Sequence, residues 1–470
     1  MVIRERQAQL SEKLNVTPEF ELALRLAKKR APFLLVTGRA GTGKTTFVHW
    51  LRSQLDASIA IVAPTGLAAL TAGGQTIHSF FGFPPRFIEL DEIQPRRSRA
   101  VYAKLDILII DEISMVRADM MDAIARFLEL NGPSEGAPFG GVAIIGVGDL
   151  HQLPPVVTSR EERHFLEAHY ASPYFHHAKA LAEVEPSVVE LTRGFRQEDE
   201  RFLELLRRIR EDDDSAAAVA ELNRRCLDEH FEDAAWPVLV PTRSAAQQIN
   251  DRRLDALPGE AVEWVGRFEG DFLGGTRPAS QLSEDELERR LPSPYRLRLK
   301  PGTRVIFTQN DVGRLWVNGT MGTVREVSKE SLRVEVETRS GGHLSPQVKP
   351  ASWPRYKYAY DADKKKLKRE EVGSYTQLPL APAWSITIHK AQGQTLERVV
   401  VDLDRGAFTE GQTYVALSRC PSLDGLRIKR PLRGEDVMCD ERIKRLYRRI
   451  SQITANRVLD GEGGSKGGEE

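Results

Sequence analysis

The feature that most narrows the possible folds is a junction. The apolar run "PFLLVTG" (32–38) passes directly into the glycine-rich "GRAGTGKT" (38–45), which opens the amphipathic segment "KTTFVHWLRSQL". A run without polar alternation reads as a strand buried on both faces, and a strand feeding a helix through a glycine turn is a unit of parallel sheet. The grammar repeats. "SIAIVAP" (58–64), "LDILIIDE" (105–112) and "GVAIIGVGD" (141–149) are short apolar runs ending in Pro, Asp or Glu, and "RADMMDAIARFLEL" is an amphipathic helix between the last two. Strands alternating with helices place the N-terminal third in the α/β class, a parallel sheet covered on both faces.

A second series of the same kind follows: "SVVELT" (187–192), "PVLVPT" (237–242), "WSITIHKAQG" (384–393) and "RVVVDL" (398–403). These are expected to form a second α/β layer. Between about 297 and 375 the texture changes to short alternating strands with Asn-Gly and Gly-Gly turns, as in "VNGTMGTVREV", which predicts a small antiparallel barrel inserted into that layer. A chain of 470 residues is long for one core and is expected to hold two or three domains. No apolar run approaches membrane-span length, "MVIRERQAQL" lacks a signal-peptide core, and three scattered cysteines suggest reduced thiols, so an intracellular, cytoplasmic protein is expected. The formal net charge of zero argues neither for nor against nucleic acid, because phosphate recognition is local. The tail "GEGGSKGGEE" has the composition of a disordered segment.

In "GRAGTGKT" the spacing Gly38, four residues, Gly43, Lys44, Thr45 is that of a phosphate-binding loop, in the strand-to-helix context that loop needs. Gly38, Gly41, Thr42, Gly43, Lys44, Thr45 and Thr46 are the expected nucleotide-binding set, with Lys44 on the β- and γ-phosphates and Thr45 on Mg2+. In "LIIDEIS" (108–114), Asp111 is placed to hold the metal and Glu112 to polarise an attacking water. Together these predict ATP hydrolysis with Mg2+, without separating a motor from many other ATPases. In "PFGGVAIIGVGDLHQLPPVV" (138–157), Gln152 follows a strand end and precedes two prolines. Its amide is read as a γ-phosphate or water contact that the stiff prolines carry outward, or else as an ordinary polar loop residue. Arg193 and Arg196 in "LTRGFRQ" and Arg419 in "GQTYVALSR" are candidate cations for the transition state, though a lone arginine is more often a solvated charge. His176 and His177 have no spaced metal partners and are read as structural.

These segments in this order resemble the motif series of superfamily 1B helicases, and closely that of the petite-integration-frequency (Pif) helicases. The similar stretches are "GRAGTGKTT", "APTGLAALTAGGQTIHSFF", "LIIDEISM", "PFGGVAIIGVGDLHQLPPV", "LTRGFRQ", "VNGTMGTV", "WSITIHKAQGQTLERVVVDL" and "YVALSR", over about 33 to 427. The resemblance implies two RecA-like domains with ATP between them and an inserted SH3-like β-barrel: 1–175 for the first, with a small wedge insertion at about 77–104; 176–296 with 376–456 for the second; 297–375 for the barrel; and 457–470 for the tail. It implies a monomeric, ATP-dependent 5′→3′ DNA helicase of genome maintenance (repair, recombination and, in the family, telomere upkeep), nucleoid-associated if bacterial. Its substrates would be single-stranded and forked or tailed duplex DNA, extending to G-quadruplex and RNA–DNA hybrids. By motif, Lys44, Thr45, Asp111, Glu112, Gln152, Arg196 and Arg419 match the ATP site, and Gln392 and Gly393 match the element coupling ATP to DNA. Members usually carry an adenine-reading glutamine ahead of the first domain. Here Thr17, Pro18 and Glu19 stand in that region, which puts adenine selectivity in question.

Tracking a single strand needs phosphate contacts and flat surfaces for bases. Thr65 and Gly66 offer a phosphate seat at a helix N-terminus. "TIHSFFGFPPRF" (76–87), with His78 and Phe80, is read as a base platform or strand-splitting insertion, with at least one phenylalanine in the core. In the second half Thr242, Asn250, His389 and Lys390 are the expected contacts. The basic run "DKKKLKRE" (363–370) is either a further contact or a solvated hairpin. A DNA clamp regulated by ATP and a phosphotransferase built on the same loop are the competing functions, told apart by strand separation and by DNA-independent turnover.

Overall fold

The structure is a computed structural model that describes residues 16–450, except 85–86, 98, 158–159, 195–198, 233–235, 274–280, 284–285, 288–289, 314, 317, 338–341 and 362–365. The described residues within Met1–Phe195, Lys357–Glu370 and Asp440–Glu470 form one compact unit, and those within Arg196–Tyr356 and Glu371–Cys439 form a second.

The first unit is built on six parallel strands: β1 (Phe33–Gly38), β2 (Ile59–Ala63), β3 (Gln75–Thr76), β4 (Ile107–Asp111), β5 (Ala143–Gly148) and β6 (Ser187–Leu191), in the spatial order β3-β2-β4-β5-β1-β6. Side chains alternate across a strand, so each apolar run feeds two cores. Phe33 and Leu35 of β1, Leu108 and Ile110 of β4 and Ile144 of β5 enter one cluster. Leu34 and Val36, Ile107 and Ile109, and Ile145 and Val147 enter the other. On the second face lie α1 (Pro18–Lys28), through Phe20, Ala23 and Ala27, and α2 (Lys44–Gln54), through Phe47, Val48 and Leu51. The start of α1 follows from its sequence. Thr17 accepts the Phe20 N–H at 3.4 Å, Pro18 sits in the first turn with Glu19 and Glu21, and Arg25 and Lys28 lie in the last turn, each suiting the helix dipole.

The opposite face is covered by helix Ala118–Asn131, through Met121, Ile124, Phe127 and Leu128, and by helical residues 441–450, through Ile443, Tyr447 and Ile450. Two expectations are corrected here. "SVVELT" does not join a second layer: Leu34 to Gly38 of β1 pair in parallel with Ser187 to Leu191, making β6 the edge of the first sheet. The end of the chain, expected to stay in the second layer to residue 456, returns to the first core by residue 443. An i, i+4, i+7 apolar face buries wherever a complementary surface exists, and that surface lies on the N-terminal sheet.

The second unit holds a four-stranded parallel sheet, β7 (Val238–Val240), β8 (Ser385–Thr387), β9 (Val399–Val401) and β10 (Leu426–Ile428), in the order β8-β7-β9-β10. Between β7 and β8 in sequence comes a five-stranded antiparallel sheet of Arg304–Phe307, Met321–Val327, Leu332–Glu337, His343–Leu344 and Leu380–Pro382. It has its own core of Leu297, Val305, Phe307, Val324, Val334 and Leu380, closed by Trp316 stacked on Phe307 at 4.4 Å. The fold is thus α/β, with parallel-sheet cores and additional antiparallel strands.

Candidate functional site

Ligands of open parallel sheets lie beyond the carboxyl ends of the strands. In the first unit three neighbouring strands, β4, β5 and β1, deliver the predicted chemistry there. Gly38 ends β1, and the loop to α2 turns through Gly41 and Gly43, whose φ angles of 81° and 78° suit glycine. Thr42 is buried and its hydroxyl donates to the Arg39 carbonyl at 2.9 Å. Lys44 Nζ donates to the carbonyls of Gly38 at 2.7 Å and Arg39 at 3.0 Å, so the ammonium folds back onto the loop it follows. Thr45 and Thr46 occupy the first turn of α2, where backbone N–H groups and the helix dipole favour anions.

Asp111 is the last residue of β4 and is buried. Its burial, and after that the neighbouring Glu112 carboxylate, push its pKa up to about 7, while the Glu112 N–H and Lys44 act the other way. A crowded acid of this kind is one that a cation restores to the charged form. Asp111 and the Thr45 hydroxyl are hard oxygen donors, which suit Mg2+. Among the described residues no group of three or more His, Cys, Asp or Glu could hold a metal ion, so a cation here would complete its shell with phosphate and water oxygens, as Mg2+ does. Glu112 adopts φ 51°, ψ 44°, a left-handed turn that sends the chain away from the strand end.

Beyond β5, Asp149 is fully buried and organises the turn that carries Gln152. Its Oδ1 accepts the His151 N–H at 3.2 Å, its Oδ2 accepts Gln152 Nε2 at 3.4 Å, and its carbonyl accepts the Gln152 N–H at 3.0 Å. The Gln152 side chain is therefore tied to the strand end. In the region of the missing glutamine, Thr17 caps α1, and Glu19 accepts the Thr192 hydroxyl at 2.7 Å. Burial alone would raise the Glu19 pKa, but bonds from Thr17, Thr192 and its own backbone, with Arg193 nearby, bring it below the usual range.

In the second unit Gln392 and Gly393 sit in a turn after β8, whose residue Ala391 donates to the Thr387 carbonyl at 3.0 Å. Arg419 is 1% exposed and grips this turn: Nη1 reaches the carbonyls of Ala391 and Gln394 at 3.4 Å, and Nε donates to the Val415 carbonyl at 2.9 Å. The guanidinium read from sequence as a phosphate cation here orders the turn bearing Gln392. Arg196 lies outside the described residues, as does part of the basic run 363–370 and all of the tail 457–470.

The nucleic-acid candidates divide. Thr65 ends a Pro-Thr pair after β2 and caps helix Gly66–Ala72, accepting the Ala68 N–H at 3.2 Å. Thr242 ends a Pro-Thr pair after β7 and caps helix Arg243–Asp255, accepting the Ala245 N–H at 3.3 Å. Their backbones agree within a degree, φ −117° with ψ 154° and 153°. Each unit thus presents the same strand-end seat. Lys390 is exposed and His389 half-buried, its pKa lowered by burial and then by Arg243. His78 is half-buried, lowered likewise by burial and by Arg117.

Two candidates are corrected. Phe80 is 5% exposed and packs edge-on against Phe81 at 4.9 Å and Tyr102 at 5.4 Å, so its ring has no face to offer a base. The Asn250 amide is committed to the backbone of Ser385, donating to its carbonyl at 2.8 Å and accepting its N–H at 2.9 Å, which ties its helix to β8. Sequence reading missed Asp149, although an acid ending an apolar strand was its signal, and Tyr447, whose signal was only the spacing of Ile443, Tyr447 and Ile450.

With this geometry in place, the chain can be set beside known proteins. A family model described as PIF1-like helicase matches residues 20–217. The ATP-dependent DNA helicase Pif1 of Bdellovibrio bacteriovorus is 32% identical over 426 residues, covering 88% of each chain. Bacteroides Pif1 in complex with ADP-AlF4 matches with a TM-score of 0.81 at 29% identity, over 94% of this chain and 98% of that one. Bacteroides Pif1 bound to ssDNA matches with a TM-score of 0.64 at 30% identity, over 96% and 98%. Matched at 32% identity along 88% of its length to a helicase of that name, with the parallel-sheet cores those structures share, the chain belongs to the PIF1-like helicases and is an ATP-dependent DNA helicase.

Proposed function

We propose that this helicase translocates 5′→3′ on single-stranded DNA as a monomer and separates forked or tailed duplexes, with G-quadruplexes and RNA–DNA hybrids in its range. The observation that carries the strand-tracking part is the repeated Pro-Thr seat after β2 and β7. Two equivalent helix N-termini, one per unit, give a polymer of evenly spaced phosphates two similar places to be held. Thr65, Gly66 and Thr242 form these seats, with His389, Lys390 and His78 as further contacts. Phe80 and Asn250 leave the contact set for the packing reasons above. The domains in this reading are a first RecA-like domain on the six-stranded sheet, with a wedge at about 77–104, a second on the four-stranded sheet, and an SH3-like barrel on the antiparallel strands between β7 and β8.

For hydrolysis, Gly38 to Thr46 cradle the phosphates and Lys44 holds the β- and γ-oxygens. Thr45 and Asp111 hold Mg2+, which when bound neutralises charge on those oxygens. Glu112 orients the attacking water, and Gln152 contacts the water or the γ-phosphate. Arg196 supplies transition-state charge. Arg419 acts with Gln392 and Gly393, because its fork orders their turn.

The test measures ATP turnover and strand separation together, on duplexes with a 5′ or a 3′ single-stranded tail. Unwinding from the 5′ tail alone is expected, with Lys44→Ala binding single-stranded DNA but not hydrolysing ATP. Unwinding from the 3′ tail overturns the polarity, DNA-stimulated turnover without unwinding from either tail points to a clamp, and full turnover by Lys44→Ala removes the phosphate-loop assignment.

A further inference from the structure

The helix that closes the first core carries a polar group with no place in the mechanism so far. Tyr447 is 8% exposed, and its ring packs with Ile443 and Ile450. Its hydroxyl emerges at the carboxyl ends of β1 and β5. There it pairs closely with the Thr37 hydroxyl, 410 residues away in sequence, accepts the Leu150 N–H at 3.3 Å and donates to Asp149 Oδ1 at 3.4 Å. The ring also stacks on His151, with centroids 4.5 Å apart and planes at 29°.

A phenol has one proton to give and an oxygen that can accept. Here the oxygen accepts from Leu150, the Asp149 carboxylate is an acceptor for the proton, and in the pair with the Thr37 hydroxyl either oxygen can be the donor. A residue needed only to fill this core would be phenylalanine, since a buried hydroxyl costs free energy unless it is bonded. Its partners lie at the two places hydrolysis needs held in register. Thr37 is the residue before Gly38, where the phosphate loop begins. Asp149 passes the link on, because its other carboxylate oxygen holds the Gln152 amide at 3.4 Å. We propose that Tyr447 is a positioning residue for ATP hydrolysis, fixing the Asp149–Gln152 turn relative to the start of the phosphate loop. The proposal rests on the reading of Gln152 as the group that meets the water or the γ-phosphate.

The effect should be modest, because the bonds to Leu150 and Asp149 lie beyond the usual distances for strong hydrogen bonds. In the full-length chain, kcat for DNA-stimulated ATP turnover, KM for ATP and the thermal midpoint are measured for Tyr447→Phe, Gln152→Ala and the double variant. Tyr447→Phe is expected to lower kcat about tenfold, the loss of roughly one buried hydrogen bond at the transition state, with KM essentially unchanged. The double variant should turn over no more slowly than Gln152→Ala alone, because both changes break one link. Asp149→Asn reads the same link from its middle and should show the same non-additivity with Gln152→Ala. Losses that multiply in the double variants, or an unchanged kcat in Tyr447→Phe beside a slow Gln152→Ala, overturn the proposal and leave the Gln152 reading standing. A Gln152→Ala variant with full turnover overturns both.

Discussion

Phe80→Ala sets two accounts of the aromatic segment against each other. In the structure the ring is 5% exposed and meets Phe81 and Tyr102 edge-on at 4.9 and 5.4 Å, in a group that continues through Phe83 and Phe127 to helix Ala118–Asn131. Removing a buried phenylalanine costs about 3–5 kcal/mol, the transfer of the ring plus the cavity left behind. For a unit of this size each kcal/mol moves the midpoint by about 2–4 °C, so a fall of roughly 6–20 °C is expected. A base platform behaves differently. Losing one stacked base costs about 1–3 kcal/mol of DNA affinity, roughly 5- to 150-fold in Kd, with little change in stability. Calorimetry of the full chain gives the first number, and anisotropy of a labelled single strand, well below the melting range, gives the second. A midpoint within about 2 °C of the parent together with a tenfold weaker Kd would refute the core assignment.

Two further outcomes follow from the same packing. Asn250→Ala strands the Ser385 N–H and carbonyl, which should cost about 1–3 kcal/mol of stability and leave single-strand affinity within about twofold; weaker DNA binding at unchanged stability would restore Asn250 as a contact. Burial pushes the thiol of Cys226 up to about 11 and that of Cys420 to about 12, so iodoacetamide at pH 8 should modify the less buried Cys439 well before either, as read by peptide mass spectrometry. Equal labelling rates at the three positions would contradict that burial.

Much of the candidate nucleotide site was legible as local structure, because the features that define it are local. A glycine loop between a strand and a helix, and an acid ending a buried strand, are statements about adjacent residues, and Gly38 to Thr46 and Asp111 stand where such statements place them. The "PFGG" signature also has a local physical cause. Gly140 sits at φ 62°, and a Cβ there would lie 2.0 Å from the Leu128 carbonyl oxygen, so only glycine lets this turn close on the helix. What escaped depends on distant partners. Nothing within "SVVELT" says that its neighbour is β1 rather than β7. The aromatics of "TIHSFFGFPPRF" look the same whether they face a base or Phe127. Asn250 looks like any surface amide until Ser385 arrives 135 residues later.

The return of residues 441–450 to the first sheet has a consequence for how the protein is made. Ribosomes release the chain from its amino end, and N-terminal domains generally fold first. Here the reverse order is imposed: β7 through β10 are all synthesised before Ile443, Tyr447 and Ile450 leave the exit tunnel to cover their face of the first core. Until then the Thr37 hydroxyl, the Leu150 N–H and the His151 ring lack the contact that Tyr447 gives them. A nascent chain halted at Cys439 should therefore have an amino-terminal half that lacks residues 441–450 and a carboxyl-terminal half that already holds β7 to β10. Helical residues 441–450 complete the first core only after the second sheet has been made.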